Sequence, residues 1–89
     1  MSTLLQSVDS YLALRRGLGT ELRHPGFHLR RFVEFLEAEG ATVITTDLAL
    51  RWAQSTGATP ATSASRLADI RRFAAWHSAT DPRTEVPPE

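Results

Sequence analysis

The stretch from Thr59 to Trp76 combines a start signal for a helix with an apolar spacing that suits a helix. Thr59 stands immediately before Pro60, and a threonine cap followed by proline at the first helical position is a common way for a helix to begin. We expect this helix to end before Asp81-Pro82, because the residue before a proline avoids helical backbone angles. One face of the helix would be formed by Leu67, Ile70, Phe73, Ala74 and His77.

Two more helices are predicted upstream of this stretch. The first covers about Leu4 to Arg16 and is stopped by Gly17. The second begins near Pro25-Gly26 and ends at Gly40, where a left-handed residue would close the helix. Each has apolar residues at helical spacing, which places Leu4, Val8, Tyr11 and Leu12 on one face of the first helix and Leu29, Phe32, Val33 and Leu36 on one face of the second.

A short third helix is predicted between these elements and the last one. Thr46 is the expected cap and Asp47 favours the first turn, with Leu48, Ala49 and Trp52 facing inward. Residues 42–45 are the one candidate extended piece, and they are too short and lack a partner strand. The sequence therefore predicts an all-α fold, and four helices of unequal length with short connections favour a compact orthogonal four-helix bundle.

Length and composition limit the class of protein. With 89 residues the chain makes one small domain, which we place at residues 1–80, followed at 81–89 by an extended linker toward a further domain. The sequence has no cysteine, which excludes a disulfide framework and a thiolate metal site. It has no apolar run of about 18 residues and no secretory signal. We therefore expect a cytoplasmic protein with no membrane partner.

The charged residues leave a nucleic-acid role open. Ten arginines balance ten acidic residues, and lysine is absent. A net charge of zero argues against a general nucleic-acid binder, since such proteins are usually basic. The exclusive use of arginine argues the other way, because a guanidinium pairs bidentately with phosphate and with guanine. A genome that prefers arginine codons would give the same composition, so both interpretations stay open.

Catalytic and metal-binding residues have little support in the sequence. His24 and His28 have the i, i+4 spacing of two helical metal ligands, but Pro25-Gly26 lies between them and no third ligand is evident. Tyr11 is the one tyrosine, and its place on the apolar face of the first helix favours a core residue. No glycine loop for phosphate and no nucleophile elbow is present. We therefore expect no metal, no cofactor and no enzymatic activity.

The start of the second helix carries charges that the helix dipole disfavours. His28, Arg30 and Arg31 lie near its N-terminus, although cations are favoured at the other end. A residue that breaks a local rule is a candidate for function, and a helix N-terminus with added arginines is a good receptor for phosphate. The alternative is a solvated surface in which Arg30 pairs with Glu34.

The last helix offers a second candidate surface for DNA. Its N-terminal half, the part that usually reads bases in recognition helices, carries Thr62, Ser63, Ser65 and Arg66. Placing residues at 100° steps puts Ser65, Asp69, Arg72 and Trp76 on the face away from the apolar stripe. The alternative is that Asp69 pairs with Arg66 or Arg72 and that this face is merely soluble.

Several short motifs follow one another in a fixed order along the chain. They are Leu29-Arg30-Arg31-Phe32-Val33-Glu34-Phe35-Leu36, Gly40, Thr46-Asp47-Leu48, Thr59-Pro60-Ala61-Thr62, Arg66-Leu67, Arg71-Arg72-Phe73, Trp76 and Asp81-Pro82. The series resembles the small core-binding domain of tyrosine recombinases, the phage integrase family. That domain has a Leu-x-x-Phe-x-x-Phe-Leu helix and a last helix with Ser-Pro-x-Thr, a basic pair with leucine, Arg-x-Phe and an aromatic residue.

The resemblance implies a SAM-like four-helix bundle that clamps duplex DNA without catalysis of its own. Its partners would be double-stranded DNA, the catalytic domain of the same recombinase and other recombinase subunits on the DNA. The family's catalytic arginines, lysine, histidines and tyrosine belong to that other domain, and no position here matches them. The alternative is a SAM-like protein-interaction module with no nucleic-acid role.

Overall fold

Four α-helices account for most of the chain in the computed structural model, which describes the backbone of residues 3–17, 23–55 and 59–88 and the side chains of residues 4–17, 28–55 and 59–88. The described ranges contain no β-strand, so the predicted all-α, four-helix class is confirmed. The helices are α1 (Thr3–Gly17), α2 (Arg23–Ala38), α3 (Thr46–Ala53) and α4 (Pro60–His77).

Threonine side chains cap the N-termini of the two C-terminal helices. Thr59 caps α4 by accepting the N–H of Thr62 at 3.1 Å, and Pro60 is the first helical residue, as predicted. The predicted cap of α3 was wrong by one residue. Thr45 is extended, with φ −121° and ψ 155°, and its hydroxyl accepts the N–H of Leu48 at 3.2 Å. The residue that was expected to cap, Thr46, is instead already helical.

Gly40 closes α2 as predicted. Its φ of +71° lies in the left-handed region that side chains disfavour. The Gly40 N–H donates to the Glu37 carbonyl at 3.1 Å, and the Ala41 N–H donates to the Leu36 carbonyl at 2.9 Å. These two bonds form a Schellman motif, which satisfies carbonyls that the end of a helix would otherwise leave unpaired.

The two longest helices, α2 and α4, pack against each other in the middle of the molecule. Both α1 and α3 contact α2 and α4, and among the described residues α1 and α3 do not contact each other. The radius of gyration is 12.2 Å, close to the roughly 12 Å expected for a compact domain of this length. The fully buried core includes Val8, Leu12, Leu29, Phe32, Val33, Leu36, Ile44, Ile70 and Phe73, and the half-buried Leu67 packs against it.

An aromatic cluster joins α1 to the C-terminal half of α4. The Tyr11 ring meets Phe73 edge-on at 5.5 Å, and the Trp76 ring lies 5.5 Å from Tyr11. The predicted core role of Tyr11 is confirmed, whereas the predicted outward orientation of Trp76 was wrong. Trp76 follows Phe73 by three residues, so the two share one side of the helix, and α1 covers both.

The segment that follows α4 lies against the body of the protein. Residues 84–88, which we name the strap, contain no helix, and Thr84 and Pro87 are buried. Just before the strap, the Arg83 guanidinium donates to both carboxylate oxygens of Asp81 at 3.1 Å, and these hydrogen bonds hold the pKa of Asp81 below its usual value. The sequence predicted an extended linker at 81–89. The described part begins with a turn, closed by the Thr84 N–H donating to the Asp81 carbonyl at 3.0 Å, and is docked. Its connection to a further domain stays a prediction.

Candidate nucleic-acid interface

The two arginines near the start of α2 are exposed and lie close to different acidic residues. The Arg30 side chain is 50% exposed, and its Nη2 lies 3.4 Å from Asp9 Oδ1 on α1. The Arg31 side chain is 59% exposed, and its Nη1 lies 3.8 Å from Glu34 Oε2. Glu34 is thus close to Arg31, whereas the alternative interpretation of the sequence had paired it with Arg30. Both guanidinium groups remain at the surface, where a phosphate could reach them.

His28 makes an interhelical contact that the sequence did not predict. Its Nδ1 lies 2.7 Å from Asp69 Oδ2 on α4, and the side chain of Asp69 is only 7% exposed. The imidazole also meets the Trp52 ring edge-on at 6.3 Å. The predicted placement of Asp69 on the solvent face was wrong. Asp69 precedes Phe73 by four residues, so it borders the apolar stripe and is covered by α2.

The second carboxylate oxygen of Asp69 links this contact to Arg72. Asp69 Oδ1 lies 3.8 Å from Arg72 Nη1, and the Arg72 side chain is 64% exposed. One carboxylate therefore connects the N-terminal half of α2 to the exposed side of α4. Of the two arginines considered as partners for Asp69, Arg72 is in contact. The structure thus brings together His28 and Arg72, two residues that the sequence assigned to separate surfaces.

The hydroxyl groups at the start of α4 differ in their exposure to solvent. The Thr59 hydroxyl donates to the Thr62 hydroxyl at 3.0 Å while it caps the helix, so Thr62 takes part in the cap. Thr62 and Ser63 are half-buried, whereas Ser65 is exposed. Of the hydroxyl groups predicted to reach a DNA groove, Ser65 is the one that the structure leaves most open to solvent.

Arg66 is directed inward and secures α4 to the end of α3. Its Nη1 donates to the Ser55 carbonyl at 3.2 Å, and its guanidinium carbon lies 5.2 Å from the centre of the Trp52 ring. Trp52 in turn packs on Phe32 at 5.4 Å. The sequence contained a signal for this position, because Arg66 precedes Ile70 by four residues and therefore lies on the apolar stripe.

The described residues form neither a metal site nor a membrane-spanning helix. Within the part of the chain that it describes, no three His, Cys, Asp or Glu side chains are arranged to hold a metal ion. The side chain of His24, which the sequence offered as a ligand together with His28, lies outside the described residues. No helix in the described ranges is both long enough and apolar enough to cross a bilayer.

Nearly the whole chain is similar in sequence to part of a known protein. A curated protein of Sinorhizobium fredii (strain NBRC 101917 / NGR234), named "Putative integrase/recombinase y4rB", is 48% identical to this chain over 89 residues, or 99% of the chain. The chain is similar to an integrase/recombinase. This confirms the resemblance to recombinases that the sequence motifs indicated, and the chain spans 28% of the length of that relative. No protein-family model and no solved structure matches the chain.

Proposed function

We propose that the chain is the core-binding domain of a tyrosine recombinase or integrase, which clamps duplex DNA at the recombination site. The observation that carries this proposal is the similarity to an integrase/recombinase, which extends over 99% of the chain. The all-α fold supports it, since the resemblance implied a four-helix, SAM-like bundle. The partners would be double-stranded DNA, the catalytic domain of the same recombinase, reached through residues 81–89, and other recombinase subunits.

The phosphate contacts are assigned to three exposed arginines, Arg30, Arg31 and Arg72. Each carries a planar guanidinium with donors suited to phosphate oxygens, and His28 joins the helix of the first two to the helix of the third. Each arginine also has an acidic side chain within 4 Å, which competes with phosphate. We therefore expect weak, salt-sensitive binding by the isolated domain, with a Kd of roughly 10⁻⁴–10⁻⁶ M on unmatched sequence.

Base contacts are assigned to the start of α4. Ser65 is exposed and a hydroxyl accepts from or donates to any base edge, so it would contact a base with Thr62 and Ser63 beside it. Arg66 is turned inward, and its contacts with Ser55 and Trp52 would hold the start of α4 in the orientation that these base contacts require. Phosphate contacts then position the domain, and these α4 side chains supply sequence preference.

Titration of duplex DNA by fluorescence anisotropy at two salt concentrations tests this assignment. Arg30→Ala and Arg72→Ala should each weaken binding alike on all sequences and reduce the salt slope by about one unit. Arg66→Ala should instead lower the preference for a cognate site. Arg51→Ala is the matched control, because Arg51 is 53% exposed but lies on α3 beside Glu39. If Arg30→Ala and Arg72→Ala behave like the control, the protein-interaction alternative is favoured.

The domain should bind DNA without cutting it. Tyr11, the one tyrosine in the sequence, is buried against Phe73 and Trp76, and a nucleophilic phenol needs both access to its substrate and activation by a base. Incubation with supercoiled plasmid should therefore give neither nicked product nor a protein–DNA adduct. A covalent adduct that is lost in Tyr11→Phe would overturn this part of the proposal.

A further inference from the structure

Residues 84–88, the strap, lie between α4 and the connection from α2 to α3. Glu85 makes two contacts on the side of that connection. Its N–H donates to the Ile44 carbonyl at 3.0 Å, and its carboxylate Oε1 accepts the N–H of Thr46 at 2.8 Å. Thr46 is the first residue of α3, and its N–H has no partner within the helix. Glu85 therefore supplements the Thr45 cap from a distant part of the sequence.

Arg71 holds the other end of the strap. Its Nε donates to the Pro87 carbonyl and its Nη2 to the Pro88 carbonyl, each at 3.1 Å. Proline has no N–H, so the carbonyls are the only backbone groups that these two residues offer for hydrogen bonding. The planar guanidinium fork suits two acceptors held side by side. The Pro87 ring is fully buried.

We propose that the strap is a releasable element, latched by Arg71, that opens while the four helices stay folded. It buries only two side chains, Thr84 and Pro87, while Glu85, Val86 and Pro88 are exposed. Segments with few buried contacts open at a lower free energy than the whole domain. Docking also leaves the buried Thr84 hydroxyl without a hydrogen-bond partner in the described structure, which is a cost that release removes. The inference does not depend on DNA binding.

Limited proteolysis of the full chain with trypsin measures this opening. The bond between Arg83 and Thr84 leads directly into the strap, and the docked position of Thr84 protects it. When closing is faster than cleavage, the cleavage rate follows the population of the open form. The product that ends at Arg83, identified by mass spectrometry, therefore reports release of the strap.

Arg71→Ala should raise cleavage at Arg83 by about tenfold, since two hydrogen bonds are lost. Glu85→Gln should have a smaller effect, because the amide oxygen still accepts from Thr46. Arg72→Ala is the control, because this arginine is adjacent to Arg71 on α4 and its partner is Asp69 rather than the strap. Arg71→Lys, which keeps the charge and most of the side chain, should give an intermediate rate and replaces Arg71→Ala if that variant folds poorly.

Urea unfolding and amide hydrogen exchange of the same variants separate release from global unfolding. The proposal requires that Arg71→Ala speeds exchange at Glu85 and Thr46 while the core amide of Phe32 keeps its protection. It is overturned if cleavage at Arg83 does not change in Arg71→Ala. It is equally overturned if cleavage at every arginine and exchange at Phe32 rise together, since the strap would then open only when the whole domain unfolds.

Discussion

The two halves of α4 differ in how many of their side chains are buried. The first half, residues 60–67, contains no fully buried side chain and includes the exposed Ser65. The second half, residues 68–77, supplies five buried side chains, which are Asp69, Ile70, Phe73, Ala74 and His77. The second half therefore fixes α4 to the other helices, whereas the first half presents polar groups at the surface, where the proposed base contacts lie.

Each half contains one arginine whose exposure is the opposite of what its half would suggest. Arg66, in the first half, turns inward onto Trp52, and Arg72, in the second half, remains 64% exposed. Both are basic residues of the same helix, so residue type does not explain the difference. Position does, because Arg66 precedes Ile70 by four residues and shares its face, whereas Arg72 follows Ile70 by two and lies away from it.

Removal of the Phe73 side chain should have the largest effect on stability. Phe73 is fully buried among Tyr11, Trp76 and His77, and Phe73→Ala should cost about 3–5 kcal/mol. Leu67→Ala is the matched comparison, because Leu67 is only half-buried where the two halves meet, and it should cost less. Urea unfolding followed by circular dichroism measures both, and equal losses would contradict the contrast between the halves.

Arg66→Ala should cost about 1–3 kcal/mol, since it removes a cation–π contact with Trp52 and a hydrogen bond to the Ser55 carbonyl. Arg66→Lys should recover part of this, because the ammonium can still lie over the ring. The free energy of unfolding is the measurement. A loss no larger than that of Ser65→Ala would show that Arg66 is a surface residue after all.

Thr59→Ala should destabilise the protein by about 1 kcal/mol, because the N–H of Thr62 loses its capping acceptor. The effect should be concentrated in the first half of α4. Hydrogen exchange should therefore accelerate at Ser63 and leave Phe73 nearly unchanged. Equal acceleration at both amides would mean that the two halves of α4 unfold as one unit.

Arg72→Ala should change the free energy of unfolding by less than about 0.5 kcal/mol, because Arg72 is largely exposed and lies 3.8 Å from Asp69, whose carboxylate keeps its 2.7 Å contact with His28. The same variant should nevertheless flatten the salt dependence of DNA binding. A large loss of stability would mean that Arg72, like Arg66, stabilises the fold, and the contrast between these two arginines would not hold.

Local signals made the helices predictable from the sequence. Thr59 before Pro60, and Gly40 after an apolar periodic stretch, act through the backbone within a few residues, and the structure has both in the predicted roles. The cap of α3 was misplaced by one residue because Thr45 and Thr46 are both good caps. Only the backbone conformation of Thr45, extended rather than helical, decides between them.

Contacts between residues far apart in the sequence were not predictable in the same way. His28 meets Asp69 across 41 residues of sequence, and Glu85 meets Thr46 across 39. No spacing rule links such positions, so each residue was interpreted from its own helix alone. Arg30, Arg31 and Ser65 were expected at the surface and are found there, because their neighbours along the helix already set their direction.

The position of α4 after the other three helices has a consequence for synthesis of this domain. Because α4 contacts each of the other three helices, a nascent chain that has only reached α3 has no partner for much of its apolar surface. Its core can close only after α4 has left the ribosome. The contact of Glu85 with the N–H of Thr46, at the start of α3, can form only later still. Folding during translation should therefore come late, when nearly the whole domain has emerged.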